Sequence, residues 1–314
     1  MSNLEPRPDE TTSVAVLPPA APAREALGGR KVPLGRYATV RRYLPQAARR
    51  TIGSWCFLDA YGPDDVSTGP GMRIPPHPHT GLQTVSWLLA GEILHRDSLG
   101  SEQSVRPGQL NLMTAGRGIA HSEESPAARP PTLAGVQLWL ALPDADRAIE
   151  PRFEHHADLP VFADGGLDAT VLVGSLGGLA SPARVHAPLV GADVAVRGSG
   201  ALPLEPSFEH GVLLLDGTVS AGGAPVPPDT LLYLGRGRST LPVSSDGEGR
   251  LLLLGGEPFG ERLVMWWNFV GRSHEEIEAM RSDWARGLGF GTVRGYDGGP
   301  LQAPPLPGVR LKPR

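Results

Sequence analysis

The 314 residues carry 29 Lys+Arg against 33 Asp+Glu, a net charge of −4, so no broad basic surface exists to draw nucleic acid or an anionic membrane, and neither is expected as a partner. Apolar residues at 40% and charged residues at 20% describe a globular protein long enough for two domains, and 41 Gly with 33 Pro leave little room for long helices. An all-β chain is expected.

The first ten residues, MSNLEPRPDE, combine acids and prolines, and no basic region with an apolar core follows. No apolar run approaches the ~18 residues of a membrane span, so the cytoplasm is the expected location. Residues 1–28, rich in Pro, Ala and polar side chains, read as a flexible tail. Arg36, Arg41, Arg42, Arg49 and Arg50 read as a solvated basic strand surface. Cys56 is the single cysteine, which excludes an internal disulfide, and its apolar setting WCFLDAYGP predicts an inert buried thiol.

From Val32 to Leu140, short apolar runs recur between turn signals, as sandwiches and barrels require. Within this stretch lie two pairs of metal-binding side chains, His77/His79 and His121/Glu123. Each pair is spaced i, i+2, so on a β-strand both members face one way, about 6.6 Å apart along the strand. Neighbouring strands lie roughly 4.8 Å apart, close enough for four donors to converge on one ion. Three neutral imidazoles and a carboxylate suit a divalent first-row metal such as Fe, Mn, Co, Ni, Cu or Zn. The run Val85 to Leu94, broken at Gly91 and ended by the turn at 98–101, predicts a hairpin beside the first pair. Pro78 cannot donate to a ladder and belongs on an edge strand or at a bulge. Glu123 is the carboxylate expected on the metal-facing side and hence the candidate proton acceptor; Glu124 should face the opposite, solvated side. His95 is expected at the surface. His155 and His156 are adjacent and cannot share a strand face, while His186, His210 and His274 lack a paired ligand nearby. Trp87, Met113, Gln137 and Trp139 fit a pocket lining or core packing equally well.

A second series of strands runs from about 150 to 270. LLAGEI (88–93) matches LLDGTV (214–219), and RPGQLNLMTAGRG (106–118) matches VPPDTLLYLGRG (226–237), which indicates an internal repeat of one β-unit. The second copy keeps only His210 near the place of the paired histidines. The expected organisation is therefore a metal-binding β-barrel at 29–150 and a metal-free one at 151–290. In SHEEIEAMRSDWARG, Ser273 with Glu276 forms a capping box, Ile277, Met280 and Trp284 make one apolar stripe, and Gly287 is a stop, so a helix is predicted near 274–286. Residues 291–314 are expected as a loosely ordered extension.

HPHTGLQTVSWLLAGEILHRDS, PGQLNLMTAGRGIAHSE and GVQLWLALP resemble the pirin family, a branch of the cupin superfamily. IGSWCFLDAYGP and MWWNFVGRSHEEI extend the likeness, the latter toward bacterial members. The resemblance implies a bicupin of two facing antiparallel β-barrels, with one iron, Fe(II), in the N-terminal barrel held by His77, His79, His121 and Glu123. It also implies one of two activities: a quercetin 2,3-dioxygenase, cleaving a flavonol with O2 and releasing carbon monoxide, or an iron-dependent regulator acting through a protein partner. One departure stands out. Where the family reads F-E-T this chain has Leu82-Gln83-Thr84, which leaves the four ligands intact and removes an acid expected to neighbour the site.

Overall fold

The structure, a computed structural model, describes residues 3–8, 11–13, 20–34, 38–308 and 310–311. Arg36 and much of the expected N-terminal tail lie outside the described residues. The described residues build two large and two small β-sheets, a short three-stranded sheet and one helix, His274–Ala285. Among the described residues no helix is long and apolar enough to cross a membrane.

The first large sheet runs in the order Arg152–His156, Leu110–Thr114, Leu82–Ala90, Thr132–Ala141, Trp55–Asp65, Ala38–Leu44 and Arg30–Leu34. The second runs Val161–Asp164, Leu167–Leu176, Leu189–Val196, Gly249–Gly256, Glu209–Gly217, Thr230–Gly235 and Pro22–Gly28. The repeat is thus structural: Leu82–Ala90 sits between Leu110–Thr114 and Thr132–Ala141 just as its counterpart Glu209–Gly217 sits between Thr230–Gly235 and Gly249–Gly256. Each large sheet is accompanied by a four-stranded one. The first small sheet, which carries the paired histidines, has the order Arg73–His79, Ile119–Glu124, Ile93–Asp97 and Glu102–Val105.

Strand alternation decides what each large sheet buries. On Leu82–Ala90, Val85 and Trp87 turn toward the other half of the molecule, where they join Leu112, Val136 and Leu138 in one core with Leu213, Leu231 and Leu252. Thr84 and Ser86 turn the other way, into the N-terminal half. Polar links cross the same interface: Trp87 Nε1 donates to Asp193 Oδ2 at 2.6 Å, and Trp55 Nε1 donates to the carbonyls of Val190 and Gly255 at 3.2 and 3.1 Å. Arg250 Nε, 2.8 Å from Asp193 Oδ1, balances that buried carboxylate.

Several expectations drawn from local composition are corrected by long-range pairing. Residues 22–28, assigned to a flexible tail, form a strand that pairs with Thr230–Gly235 and closes the edge of the second large sheet. Reciprocally, Arg152–His156, assigned to the second barrel, pairs with Leu110–Thr114 in the first. Arg41, Arg42 and Arg49 of the arginine cluster are paired with acids rather than bare to solvent. Arg42 is buried against Asp59, with Nε–Oδ1 2.8 Å and Nη2–Oδ2 2.9 Å, while Arg41 pairs with Asp229 and Arg49 with Glu25 and Glu209. The extension after residue 290 also packs: Leu301 N–H donates to the Pro76 carbonyl at 2.8 Å, Trp284 Nε1 donates to the Leu301 carbonyl at 2.7 Å, and Leu311 is buried with Phe290 and Ile277. The helix starts as its cap predicts, Ser273 Oγ accepting from Glu276 N–H at 3.3 Å, although the Glu276 carboxylate accepts from Arg272 N–H rather than from the cap residue.

Cys56 is fully buried, and burial pushes its thiol pKa up to about 12. The thiolate is the reactive form, so the folded protein is expected to resist a thiol reagent at pH 8 and to react with one equivalent only after denaturation. Rapid modification of the native chain would contradict this placement.

Candidate metal centre

Three consecutive strands of the small sheet each present an i, i+2 pair to the interior of the N-terminal half. Arg73–His79 carries His77 and His79, Ile119–Glu124 carries His121 and Glu123, and Ile93–Asp97 carries His95 and Asp97. The register sets His121 directly opposite His77 on one side and Asp97 on the other, with Glu123 opposite His95. The first strand is the edge of its sheet, as Pro78 predicts. Its Pro75–Pro76 pair stands across from the single residue Ser122, where the register slips between His121 and Glu123. This bulge absorbs two residues that cannot donate to a ladder. Gly81 then turns the chain into the next strand with φ +68°, where a Cβ would sit 2.2 Å from the Val270 carbonyl oxygen, so glycine is required.

The imidazoles of His77, His79 and His121 converge, with one ring nitrogen from each lying within 4.8 Å of the others. His79 Nε2 and His121 Nε2 are 3.1 Å apart. Two donors about 2.1 Å from one ion and at right angles to each other sit about 3 Å apart, so this spacing fits a shared first-row cation. All three rings are buried. Burial pushes His77 down to about 4 and the other two well below the ordinary histidine value, so the rings are neutral at pH 7 and offer lone pairs. Each ligand's remaining ring face is also occupied. His77 Nδ1 donates to the Pro75 carbonyl at 2.8 Å, His79 interacts with the Asn268 backbone carbonyl, and His121 Nδ1 lies 3.3 Å from His95 Nδ1. The donor set fits a divalent first-row metal.

Glu123 is buried on the same interior side, its Oε1 3.5 Å from Ser86 Oγ, which in turn lies 2.9 Å from Gln137 Oε1. Glu124 faces outward as expected, but it is clasped by Arg96 and Arg73 rather than solvated. Gln83 is corrected more sharply. Thr84 and Ser86 face the interior, so Gln83 faces away, and its Nε2 donates to Thr114 Oγ1 and to the Arg184 carbonyl, both at 2.9 Å. The change from the family's acid therefore falls between the two halves, not beside the imidazoles.

His95 was expected at the surface and is buried. Its ring stacks on Phe153 with centroids 4.4 Å apart, and its Nε2 lies 3.2 Å from Asp97 Oδ2. Asp97 is thus a second carboxylate on the inner face, behind the imidazoles. The H-x-D spacing at 95–97 repeats that of the two recognised pairs, and this was the signal available in the sequence. The other histidines stay apart from the site: His155 Nδ1 bonds Asn111 Oδ1 at 2.7 Å, His186 pairs with Asp146, and His274 Nδ1 accepts from Leu311 N–H. His210 is buried in the second half, where burial lowers its pKa to about 4.

Of the four residues weighed as pocket lining, Trp139 alone combines a place at the imidazoles with a place on a cavity. Its ring meets the edge of His79 at 5.2 Å and stacks on Phe57 at 4.0 Å. It shares the wall of a cavity of about 470 Å3 with Arg42, Phe57, Met265, Trp266 and Trp267. Trp87 belongs to the core between the halves and Met113 packs with Phe57 and Leu82.

Histidines held neutral by burial make stability depend on pH. In the unfolded chain His77 and His210 take up protons below about pH 6.5, whereas in the folded chain they do so only near pH 4. Their contribution is complete above pH 6.5 and is lost as pH falls toward 4. The metal-free protein is expected to unfold at lower urea concentration at pH 5 than at pH 7.5; an equal or higher midpoint at pH 5 would count against the neutral, buried placement.

The pirin family model matches residues 37–140, and the model of the pirin C-terminal cupin domain matches residues 192–291. The chain belongs to the pirin family. Its fold is accordingly a bicupin, nearly all β with one short C-terminal helix. Among pirin relatives, a Pseudomonas aeruginosa protein named "Putative quercetin 2,3-dioxygenase" is 46% identical over 98% of each chain, and a pirin-like protein of Caulobacter vibrioides is 37% identical over 82% of this chain and 91% of its own. The crystal structure of a quercetin 2,3-dioxygenase from Acinetobacter baumannii superposes with a TM-score of 0.87 at 41% identity, covering 92% of this chain and 98% of that one.

Proposed function

We propose that this pirin binds one Fe(II) through His77, His79, His121 and Glu123 and cleaves a flavonol such as quercetin with O2. The observation that carries the reading is the convergence of three neutral, buried imidazoles, with the Trp139 ring set between His79 and a neighbouring cavity lined by aromatic and charged side chains. The names of its relatives agree with this reading. When bound, the ion supplies a Lewis acid for the flavonol oxygens and redox chemistry toward O2.

The chain's own side chains supply the rest. Glu123, buried on the inner face of the same sheet though outside the cluster of three imidazoles, accepts the proton of the flavonol 3-hydroxyl. Trp139 and Phe57, stacked with an interplanar angle of 13°, give a flat apolar wall against which a planar ring system orients. Trp266 and Trp267 line the same cavity and extend its apolar surface. The net reaction adds both atoms of O2 to the flavonol and releases one carbon of the oxygen-bearing ring as carbon monoxide.

The test is anaerobic loading with Fe(II), then addition of quercetin and O2 while oxygen uptake and carbon monoxide are measured. One O2 consumed and one CO released per flavonol are expected. Iron-replete protein that consumes no oxygen and releases no CO would overturn the proposal.

A further inference from the structure

His77 has a backbone carbonyl at its second ring nitrogen, and His79 also interacts with one, but His121 has an imidazole there, and behind that imidazole a carboxylate. The proton positions along this chain are constrained. For His121 Nε2 to offer a lone pair toward His79 and the site, its hydrogen must lie on Nδ1, which faces His95 Nδ1 at 3.3 Å. His95 Nδ1 must then accept, so the His95 hydrogen lies on Nε2, which faces Asp97 Oδ2 at 3.2 Å. Asp97 can serve as the end of the line because its other oxygen, Oδ1, accepts the backbone N–H groups of Leu99 and Ser101 at 2.9 and 3.0 Å, and these hold the carboxylate in place. The Phe153 ring, parallel to His95 within 14°, holds the middle of the relay flat. One arrangement of protons satisfies every donor and acceptor in it.

We propose that His95 and Asp97 are positioning residues that lock His121 in the tautomer with its Nε2 lone pair turned toward the ion and, through the Asp97 charge, strengthen it as a donor. The proposal rests on the metal-centre reading above. A ligand histidine usually passes its second N–H straight to a carbonyl or carboxylate; here an intervening imidazole carries the effect to a charge on its own strand, next to that of His121. Loss of such an outer partner typically weakens metal binding about 10–100-fold.

The test uses the full chain and Zn(II) alone, a diamagnetic probe that imidazole ligands accept. Zn(II) affinity is measured by competition with a chelator for the wild type, Asp97→Asn, His95→Phe and His95→Gln, and ring-nitrogen tautomers are read by long-range proton–nitrogen correlation in the Zn(II)-loaded protein. Asp97→Asn keeps the shape and removes the charge; His95→Phe keeps the stack on Phe153 and removes the acceptor; His95→Gln restores an acceptor oxygen. The expected results are at least tenfold weaker binding for His95→Phe, a smaller loss for Asp97→Asn, partial recovery in His95→Gln, and protons on His121 Nδ1 and His95 Nε2 in the wild type. If His95→Phe fails to fold, Asp97→Asn and the tautomer assignment decide. Asp97→Asn binding Zn(II) within twofold of the wild type, or a proton found on His95 Nδ1, overturns the relay while leaving the metal centre standing. A wild-type chain that binds no Zn(II) at these imidazoles overturns both.

Discussion

His121→Ala is expected to remove bound metal and flavonol cleavage together while leaving the fold in place. Among the three imidazoles His121 is the one that the ladder centres: it lies opposite His77 on one neighbouring strand, and its Nε2 is 3.1 Å from that of His79 on the same strand. Without it, two of the three converging imidazoles remain. The loss should exceed the ~100-fold that removal of an outer partner alone can produce. The fold should survive because the principal cores lie elsewhere, between the two large sheets and at either end of the N-terminal interior. Metal content by elemental analysis, oxygen uptake and the far-ultraviolet circular dichroism of the same preparation check this. A folded variant with full iron and full turnover would contradict the ligand assignment.

Asp59→Ala is expected to produce the largest loss of stability among single polar substitutions in the N-terminal half. Asp59 is 0% and Arg42 2% exposed, and the two meet through a pair of parallel hydrogen bonds at 2.8 and 2.9 Å. Removing the acid breaks a buried pair, which costs about 3–5 kcal/mol, and leaves the guanidinium only the longer contacts to Glu5 and Asn3 at 3.6 and 3.4 Å, whereas replacing both partners with apolar residues of similar volume is close to neutral. Arg42→Met with Asp59→Leu should therefore recover most of what Asp59→Ala loses. The consequence extends to the cavity, since the Arg42 guanidinium lies 4.4 Å over the Phe57 ring, which is stacked in turn on Trp139. Urea unfolding of the two variants and the wild type separates the cases. A loss below about 1 kcal/mol for Asp59→Ala would mean that the pair is solvated, as exposed ion pairs are.

The sequence was most legible where chemistry and strand period coincide. His77/His79 and His121/Glu123 share an i, i+2 spacing, and the small sheet sets both pairs on adjacent strands, with Pro78 on the edge where its missing donor does no harm. The repeat of LLAGEI in LLDGTV translated directly into two sheets with the same strand order. Misreadings arose where the answer lies far away in the chain. Nothing local in residues 22–28 or 152–156 states that each completes the other half's sheet. Arg42 looks like the other arginines of the cluster until Asp59 is brought opposite it. The resemblance implies that position 83 neighbours the site, but the Thr80–Gly81 turn separates two strands and the alternation restarts at Leu82. His95 and Asp97 were hidden in a hairpin rich in polar residues, and the partners that cover them, the strand of His121 and Glu123 and the Phe153 ring, come from farther along the chain.

The most direct test is anomalous diffraction at the absorption edge of the metal carried by freshly purified protein. One peak per chain is predicted, bonded to a ring nitrogen of each of His77, His79 and His121 and to the carboxylate of Glu123. A metal-replete crystal with its peak at any other set of side chains would contradict the account.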